Sequence, residues 1–480
     1  MEHLRTPTVD VFGKRTVEYM LECLTSFNRG ADEVRLRAFG GNVSKGVNIA
    51  HLMADAFNIG TGDMALRTLE IERYSYLCLE IALRALGDLG TGDIAKYATD
   101  PHFVDLPVYH LLLDTVLAEK GRLHVTREDD TPLVDIARAG YSIRCEPAGR
   151  GEPDQGTLNN LAEAYFRCGL LSSRNWKEIA ATLSAHDDII LGLDTNILHG
   201  AVLSEHLLDS LSLMDPKEVV HTPNWILIIV PSAVMHELEQ AANRRDAVGH
   251  LEFQGRMGFR AIQEILELDR SADLTGISLM IVGRSDPTLD TRTELRGLRE
   301  DLERAGLHKA GARARTRLST GDTVIRDQFK SFLRSIDFHK GVFFLTADKS
   351  NAAIARAEGL HAIYYHIPPW YEAKKAVSPP AMPFNDGRER VTVPVPLGKI
   401  LYELAVQFGT IVVRWDTGKV QLQCDGKGDS LDHWIQRELM ITDKDQFRRL
   451  LSVYAGAGRF NLIHVRSVWK DLCDRLCGEF

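Results

Sequence analysis

The chain has 480 residues, of which 44% are hydrophobic and 26% are charged, a composition typical of a globular protein of roughly two to four domains. Its net charge of -9 excludes a uniformly basic protein that coats nucleic acid, although a local basic stripe is compatible with it. The seven scattered cysteines exclude a secreted disulfide framework, and the lack of an apolar leader or membrane span predicts a cytoplasmic protein.

The N-terminal residues show patterns in the order strand, helix, strand, helix, strand, strand. The segment "RTVEYMLECLTSFNRG" has apolar residues at helical spacing, and Gly30 suits the end of that helix. In "EVRLRAFG" apolar residues alternate with arginines, which is typical of a strand. "NVSKGVNIAHLMADAF" predicts a second helix, and "MALRTLEI" and "YLCLEIAL" predict two strands joined by the short turn "ERYS".

These segments, from "VFGKRTVEYMLECL" to "YLCLEIALR", resemble the Alba family of archaeal chromatin and RNA-binding proteins. The resemblance covers about residues 8–88, and we assign residues 1–88 to an Alba-like α/β sandwich. The resemblance also suggests that the protein comes from an archaeal cytoplasm. It implies that Lys14 and Arg15, at the first strand-to-helix turn, contact nucleic acid together with Lys45 of the second helix. Asn42 replaces the arginine that is usual in the family, and the basic hairpin is reduced to "ERYS". Both departures favour RNA binding or dimerisation over coating of DNA.

The next region, residues 89–186, is predicted to be a mainly helical connection. "PVYHLLLDTVLAEKGRLHV" and "LNNLAEAYFRCGLLSSRNWKEIAATL" are typical of helices. "PAGRGEPDQG" between them has the glycine, proline and polar content of a loop. The sequence assigns no chemistry to this region.

Four acidic residues further along the chain stand where strands meet helices. Asp194 follows the apolar segment "IILGL", Glu237 lies in the helix after "ILIIVP", and Asp322 and Asp348 stand at two later helix starts. Ligands collect at the carboxyl ends of parallel strands, and carboxylates that meet there cannot all stay ionised without a cation. Oxygen ligands of this kind select Mg²⁺ or Mn²⁺, which can activate water and polarise a phosphodiester.

Each acid also has a structural interpretation when it is considered by itself. The three aspartates could cap the helices that follow them, and Glu237 could be an exposed helix residue. A phosphatase of the haloacid-dehalogenase type is disfavoured because Asn196 stands where that chemistry requires a second aspartate. Neither a GxxxxGK[ST] phosphate-binding loop nor a GxSxG nucleophile motif occurs in the sequence.

The segments "GLDTNIL", "VMHELEQ", "GDTVIRD" and "FFLTADKSNAAIARAEGL" together resemble the four acidic motifs of PIN-domain nucleases, in the same order. The resemblance covers about residues 187–367 and implies a Rossmannoid parallel sheet with a helical insertion. It further implies a metal-dependent endoribonuclease that uses Mg²⁺ or Mn²⁺ and leaves a 5′-phosphate and a 3′-hydroxyl. The implied metal ligands are Asp194, Glu237, Asp322 and Asp348.

Three further positions of these motifs are assigned by the same resemblance. Thr346 matches a polar position beside the catalytic site, and Asn196 is expected to orient Asp194. Within the third motif, Asp322 fits the family pattern better than Asp327 does.

The chain between Glu237 and Asp322 is longer than a compact nuclease core requires. We interpret residues 242–318 as a basic insertion in a nuclease domain of residues 187–370. A run free of acidic residues near its end predicts contact with an RNA backbone, and the alternative is a solvated helix face or loop. The basic residues of this run are Arg304, Lys309, Arg313, Arg315 and Arg317.

Residues 371–390 have the proline-rich composition of a linker, and residues 391–480 are predicted to form a small α/β accessory unit. Its strands include "TIVVRW" and "KVQLQC", and its helices include "LGKILYELAVQF" and "DKDQFRRLLSVYAG". The tryptophans of this unit are expected in the core rather than in base stacking: Trp415, Trp434 and Trp469.

We therefore predict a multidomain α/β protein that cuts RNA with a PIN-like domain and binds it with an Alba-like domain. RNA is the expected partner, DNA is the second candidate, and a homodimer through either domain is expected. Two alternatives stay open. The first is a non-catalytic RNA- or chromatin-binding scaffold whose acidic site is structural, and the second is a toxin-type nuclease held inactive by a partner. The large additional domains disfavour the second.

Overall fold

The structure is a computed structural model that describes residues 6–11, 16–71, 74–87, 89, 103–139, 142–147, 153–207, 225–247, 250–270, 277–283, 320–336, 341–375, 377, 381–383, 390–392, 395–424 and 431–477. Over these residues the chain is mixed α/β, with helices and four β-sheets. This agrees with the predicted multidomain α/β class. Within the same ranges, no helix has both the length and the apolar character needed to cross a membrane.

The N-terminal residues form a four-stranded sheet with two helices, in the predicted element order. Helix α1 (Thr16–Asn28) lies between the first two strands, and helix α2 (Val43–Ala56) lies between the second and the third. The order in the sheet is β1-β2-β4-β3, with β1 parallel to β2 and the other pairs antiparallel. The strands are β1 (Thr8–Val11), β2 (Glu33–Phe39), β3 (Ile59–Ile71) and β4 (Tyr74–Ala85).

The hairpin of β3 and β4 is longer than the sequence predicted. The pairing runs from Ile59 and Ala85 at one end to Ile71 and Tyr74 at the other, with an irregularity between Thr61 and Met64. The prediction of a reduced hairpin is therefore wrong, and residues 72 and 73 of the predicted turn lie outside the described residues. The start of β3 was missed because "IGTGD" has the glycine and polar content of a loop. A short hairpin is therefore no longer an argument for RNA over DNA.

A seven-stranded antiparallel sheet joins two distant parts of the chain. Its order is β5-β18-β17-β16-β6-β7-β8. Helices α3 (Leu106–Lys120) and α11 (Leu397–Phe408) pack against each other, and nearly all of their residues are buried. The strands are β5 (Phe103–Val104), β6 (Arg122–Arg127), β7 (Pro132–Ala139), β8 (Ser142–Pro147), β16 (Thr410–Trp415), β17 (Gly418–Gln423) and β18 (Leu439–Ile441).

Two segments of this sheet repeat the same helix–strand–strand arrangement. Gly121 follows α3 with a φ of 75° and Gly409 follows α11 with a φ of 80°, and each leads directly into a strand. Val125 and Val413 lie at the same distance beyond their glycines, and they pair with each other where β6 meets β16. The neighbouring pairs are arranged symmetrically on either side. An approximate two-fold axis therefore relates α3–β6–β7 to α11–β16–β17.

The shared sheet changes the interpretation of the regions on either side of the predicted nuclease domain. Residues 89–186 contain three strands of six to eight residues, β6, β7 and β8, that the prediction of a mainly helical region missed. Cys145 of β8 exchanges backbone hydrogen bonds with Val377, so part of the predicted linker lies along the edge of this sheet. A short hairpin of β14 (Ala381–Pro383) and β15 (Arg390–Thr392) follows. The exact domain boundaries stay a prediction.

The central region contains a five-stranded sheet in which every neighbouring pair is parallel, in the order β11-β10-β9-β12-β13. Gly192 lies in β9, where an added Cβ would come within 2.6 Å of the Phe329 ring, so glycine lets helix α9 pack on the sheet. The strands are β9 (Asp188–Leu193), β10 (Trp225–Pro231), β11 (Ile277–Val282), β12 (Val342–Thr346) and β13 (Ala362–Tyr364).

Six helices of the described chain accompany this sheet: α5 (Trp176–Ser184), α6 (Thr195–His199), α7 (Ser232–Ala242), α8 (Phe253–Arg270), α9 (Thr320–Ser335) and α10 (Lys349–Ala357). The helix before them, α4 (Gln155–Arg167), packs against α11 instead. The predicted insertion of residues 242–318 is not wholly an insertion, since it contains β11, which belongs to the parallel sheet. Its basic run lies outside the described residues.

The C-terminal helices complete the unit built on the seven-stranded sheet. They are α12 (Leu431–Ile435), α13 (Lys444–Ala457) and α14 (Leu462–Cys477). Trp415, Trp434 and Trp469 are buried in its core, which confirms their predicted structural role.

Candidate active site

The predicted acidic residues lie where the strands of the parallel sheet end. Asp194 directly follows β9, and its backbone N–H donates to Leu345 of β12, which places it beside Thr346. Glu237 lies in α7, the helix that follows β10. Because the carboxyl ends of parallel strands meet at one edge, these elements bring the side chains to the same place.

Asp194 is buried and surrounded by neutral hydrogen-bond donors. Its Oδ1 accepts from the backbone N–H of Thr195 at 2.8 Å. Its Oδ2 accepts from the Thr346 hydroxyl, from Asn196 Nδ2 at 3.0 Å and from Asn351 Nδ2 at 2.7 Å. These contacts fix the carboxylate in one orientation, and none of these described partners carries a positive charge.

Asn196 is itself held by the neighbouring strand end. Its Oδ1 accepts from the backbone N–H of Ala347 at 2.7 Å, which leaves its Nδ2 to face Asp194. The Thr346 hydroxyl also accepts the backbone N–H of Asp348 at 3.0 Å. The loop after β9 and the loop after β12 are therefore joined through these polar side chains.

Glu237 approaches the same edge from α7. Its Oε2 accepts from the Thr195 hydroxyl at 2.6 Å. A Cβ added to Gly321, in the first turn of α9, would lie 2.2 Å from Glu237 Oε1, so only glycine permits this approach. The next residue is Asp322, so the third predicted acid stands beside the Glu237 carboxylate.

The electrostatics of the site reflect this crowding. Burial raises the pKa of Asp194 above its usual value, and the charge of Asp322 raises it further, while hydrogen bonds from Thr346 and Asn351 oppose the rise. Burial also raises the pKa of Glu237, as do the charges of Asp194 and Asp322. Among the described residues, no salt bridge joins Asp194 or Glu237 to a basic side chain. Three carboxylates therefore repel one another at this edge, which is the arrangement that a cation relieves.

Asp348 differs from the other three acids in its exposure and in its hydrogen bonds. It is exposed, and its Oδ1 caps α10 by accepting from the backbone N–H groups of Ser350 and Asn351 at 2.6 and 3.1 Å. This is the capping role that the sequence left open for it. In the part of the chain that the structure describes, no three His, Cys, Asp or Glu side chains are placed so that they could hold a metal ion together.

The donors at this edge nevertheless fit a hard divalent cation. The side chains that face it present carboxylate oxygens, with hydroxyl and amide groups behind them and no sulfur ligand. Two of these carboxylates have raised pKa values because they are buried near like charges. Mg²⁺ and Mn²⁺ prefer such oxygen ligands and would favour the ionised form of both.

Three residues of the site were not predicted from the sequence: Thr195, Asn351 and Arg326. Thr195 links Asp194 to Glu237, Asn351 contacts Asp194, and Arg326 contacts Asn351. Asn351 stands three residues after Asp348, a position typical of a helix surface. In the sequence, Asn351 and Arg326 look like ordinary residues of a helix surface. Their burial, which the structure shows, distinguishes them from such residues.

The predicted nucleic-acid contacts are mostly beyond what the structure describes. Lys45 lies in the first turn of α2 and is partly buried. Lys14 and Arg15 lie outside the described residues, and the same is true of the basic run of the insertion. That run comprises Arg304, Lys309, Arg313, Arg315 and Arg317.

Comparison with known proteins bears on the central region. One solved structure that is similar to this chain is a domain of a functionally unknown protein from Methanocaldococcus jannaschii DSM 2661, at 19% identity over 37% of this chain and 91% of that chain, with a TM-score of 0.22. None of the curated proteins matches the chain. The family model of the PIN domain matches residues 193–366, which supports a PIN-domain fold for this part of the chain.

Proposed function

We propose that the chain is a metal-dependent endoribonuclease whose active site is built around Asp194, Glu237 and Asp322. PIN domains are generally nucleases, and residues 193–366 match that family. The observation that carries the proposal is the meeting of Asp194 and Glu237 at the carboxyl edge of the parallel sheet, where Thr195 contacts both carboxylates. Asp194 is buried and Glu237 is half-buried, and no described basic side chain forms a salt bridge with either of them. Such a placement is unfavourable for folding, and it points to a cation and to function.

In this proposal all four acids serve as ligands of Mg²⁺ or Mn²⁺. Asp194 and Glu237 would hold the cation through oxygens fixed by neutral donors, and Asp322 and Asp348 would complete the set from the starts of α9 and α10. When bound, such a cation activates water and polarises the scissile phosphodiester. The expected products are a 5′-phosphate and a 3′-hydroxyl.

Thr346, Asn196 and Thr195 serve the acids rather than the substrate. Thr346 and Asn196 donate to Asp194 Oδ2, and Thr195 donates to Glu237 Oε2. Hydrogen bonds of this kind favour the ionised carboxylate and restrict its rotation. They prepare both acids for a cation before substrate arrives, which lowers the reorganisation needed during reaction.

We further propose that RNA binding depends on the Alba-like residues 1–88 and on the basic run before Asp322. Lys14, Arg15 and Lys45 would contact the backbone at one place, and Arg304, Lys309, Arg313, Arg315 and Arg317 at another. RNA is preferred and DNA is the second candidate. A homodimer through the Alba-like or the PIN-like residues is part of the same proposal, and sedimentation at several protein concentrations tests it.

The test of the activity uses the full-length protein with single- and double-stranded RNA and DNA probes in Mn²⁺, Mg²⁺ or EDTA. We expect cleavage of RNA in Mn²⁺ or Mg²⁺, none in EDTA, and 5′-phosphate ends on the products. Cleavage that persists in EDTA, or that leaves cyclic phosphates, would contradict the metal-dependent reaction. Cleavage of DNA alone would replace RNA by the second candidate.

A second function is a non-catalytic RNA- or chromatin-binding scaffold. The observation that favours it is the position of Asp348, which is occupied in capping α10 and is exposed. Under this alternative the buried acids are structural. Salt-dependent RNA binding by the full chain, with no cleavage in either metal, would establish it.

A further inference from the structure

A chain of hydrogen bonds leads from the Asp194 carboxylate to the middle of α9. Asn351 Nδ2 donates to Asp194 Oδ2 at 2.7 Å, and Asn351 Oδ1 accepts from Arg326 Nη1. Arg326 in turn donates from Nε and Nη2 to the two carboxylate oxygens of Glu358, at 3.0 and 3.3 Å. Asn351 and Arg326 are 1% and 3% exposed. Bulk water therefore does not compete for the contacts of Asn351 with Asp194 and with Arg326, whereas Glu358 is exposed.

The guanidinium determines which way the Asn351 amide faces. An arginine side chain carries only hydrogen-bond donors, so the group that it meets must be the amide oxygen of Asn351. The amide nitrogen then faces Asp194, where it donates to Oδ2. Without Arg326, only the contact with Asp194 would hold the amide in this orientation, because an amide oxygen that faced the carboxylate would be repelled.

The donors around Asp194 are distributed unequally between its two oxygens. Oδ2 accepts from Thr346, Asn196 and Asn351, whereas among the described residues only the Thr195 backbone donates to Oδ1. A carboxylate offers about four lone-pair positions. The position left open is therefore on Oδ1, which is the oxygen available to a cation.

We propose that Arg326 and Asn351 are positioning residues that hold Asp194 with Oδ1 free for a divalent cation. This inference rests on the proposed function of the site. Arg326 lies one turn beyond Asp322 on α9, and Glu358 ends α10, whose start is capped by Asp348. The same contacts thus tie together the two helices that begin at proposed ligands.

The chain offers a matched control on the same helix. Lys330 lies one turn beyond Arg326, and its Nζ donates to the same Glu358 carboxylate at 2.9 Å. The structure shows no contact between the described side chains of Lys330 and Asn351. Arg326→Gln therefore interrupts the path to Asp194, whereas Lys330→Gln removes a similar ion pair and leaves that path intact.

The first measurement is the Mn²⁺ affinity of the full-length protein. Calorimetry, or the electron spin resonance signal of free Mn²⁺, gives this affinity. Substitution of a residue that hydrogen-bonds to a metal ligand typically weakens metal affinity about 10- to 100-fold. We expect a loss of Mn²⁺ affinity of this size for Arg326→Gln and for Asn351→Leu. Lys330→Gln should bind like the wild type. Equal Mn²⁺ affinity in the Arg326→Gln and Lys330→Gln variants would overturn the proposal. If Arg326→Gln does not fold, Arg326→Lys replaces it and should show a smaller loss.

A second measurement separates positioning from a merely structural role. With an RNA probe, Arg326→Gln should lower kcat at low Mn²⁺, recover as Mn²⁺ is raised, and leave KM for RNA unchanged. A defect that excess Mn²⁺ does not reduce would contradict positioning. Unfolding temperatures of the two variants show whether the difference comes from stability.

The failure of this proposal is distinguishable from failure of the proposed function. If the wild type binds Mn²⁺ but cleaves no nucleic acid, the nuclease assignment fails and Mn²⁺ affinity still decides the role of Arg326. If the wild type does not bind Mn²⁺, crystal structures of the two variants decide. The Asp194 carboxylate should turn in Arg326→Gln and stay in place in Lys330→Gln, and an unmoved carboxylate in both would overturn the proposal.

Discussion

The two large regions of the molecule bury acidic side chains in opposite ways. Three of the buried acids around the seven-stranded sheet form close ion pairs, as Glu18 does with Lys399 and Glu403 does with Arg260, at 2.9 and 3.0 Å. The third such pair is Arg29 and Asp114. At the edge of the parallel sheet, the described donors to Asp194 and Glu237 are all hydroxyl, amide or backbone groups.

The difference separates structural charges from those proposed to be functional. A buried ion pair joins elements that are distant in sequence, and its two charges compensate each other. Neighbouring acids without such a partner repel each other, and either a proton or an added cation relieves that repulsion. Burial alone is therefore a weaker indication of the proposed cation site than burial among neutral donors.

The largest effect is expected for Asp194→Asn. This change removes a carboxylate from the proposed cation site, so cleavage of RNA in Mn²⁺ should fall on the order of 1,000-fold or more, several kcal/mol of activation free energy. The free energy of unfolding should stay the same or rise, because one of three repelling charges is removed. Cleavage assays and urea denaturation of the same samples check both parts.

The matched control for this change is Asp327→Asn. Asp327 lies on α9 near Asp322, but it is exposed and pairs with Lys330 at 2.8 Å. Its loss should leave cleavage within about twofold, as for most surface substitutions. Equal losses in the two variants would show that the buried position has no special role.

The opposite behaviour is expected when a paired charge is broken. Lys399→Met leaves Glu18 buried without its base, which should reduce the free energy of unfolding by about 3 to 5 kcal/mol. Changing both residues, as Glu18→Leu with Lys399→Met, should restore most of the loss because no charge is left behind. Urea denaturation of both variants tests this, and a single variant as stable as the double one would refute it.

A smaller effect concerns His110, which is buried and kept neutral between α1, α3 and α11. Its Nδ1 accepts from the Gly398 backbone N–H, and its Nε2 contacts the Thr25 hydroxyl, which itself donates to Leu21. Burial lowers the pKa of His110 from 6.5 to about 4, the charge of Asp114 raises it, and that of Arg29 lowers it. The folded state therefore binds fewer protons than the unfolded state in this range.

It follows that the His110 contribution to stability is present above pH 6.5 and is lost as the pH falls towards 4, a change of about 2 to 3 kcal/mol. In His110→Gln, an amide makes similar contacts but does not titrate, so its stability should fall less over the same range. Urea denaturation at pH 7 and pH 4.5 gives the two differences. Identical pH dependence in the two proteins would contradict the assignment.

The smallest effect is expected for Gly321→Ala, which moves an acid without removing it. The added methyl would meet the Glu237 carboxylate, and a displacement of this kind should lower the cleavage rate about 10-fold. Gly456→Ala is the control, since that helical glycine has open space around it. It should leave cleavage unchanged. If cleavage kinetics do not distinguish the two variants, the close approach of Glu237 to α9 is not needed for activity.

Some features could be predicted because the chemistry and the local pattern coincide. Asp194 stands at a strand end, Glu237 in the following helix and Asp322 at a helix start, so single short segments carried the information. Asn351 and Arg326 could not be predicted in the same way. Their importance comes from contacts between two helices, and amide and arginine side chains on helices are usually solvated.

The same limit applies to the fold. The parallel sheet could be predicted from apolar segments next to helices. In contrast, β6 pairs with β16 although the whole central region separates the two strands in the sequence. Their alternating sequences predict that both segments are strands. No local pattern identifies the strand with which each of them pairs. Likewise β11 was included in an insertion because its sheet neighbour, β10, is separated from it by two helices.

The pairing of β6 with β16 has a consequence for synthesis of the protein. A ribosome makes the chain from its N-terminus, so β6 emerges long before β16 and leaves one edge unpaired while the intervening residues are made. The parallel sheet, whose strands all lie between these two, can assemble in that interval. Closure of the antiparallel sheet then anchors both ends of the parallel-sheet region to one body, so this region is tethered at both of its ends rather than joined through a single linker.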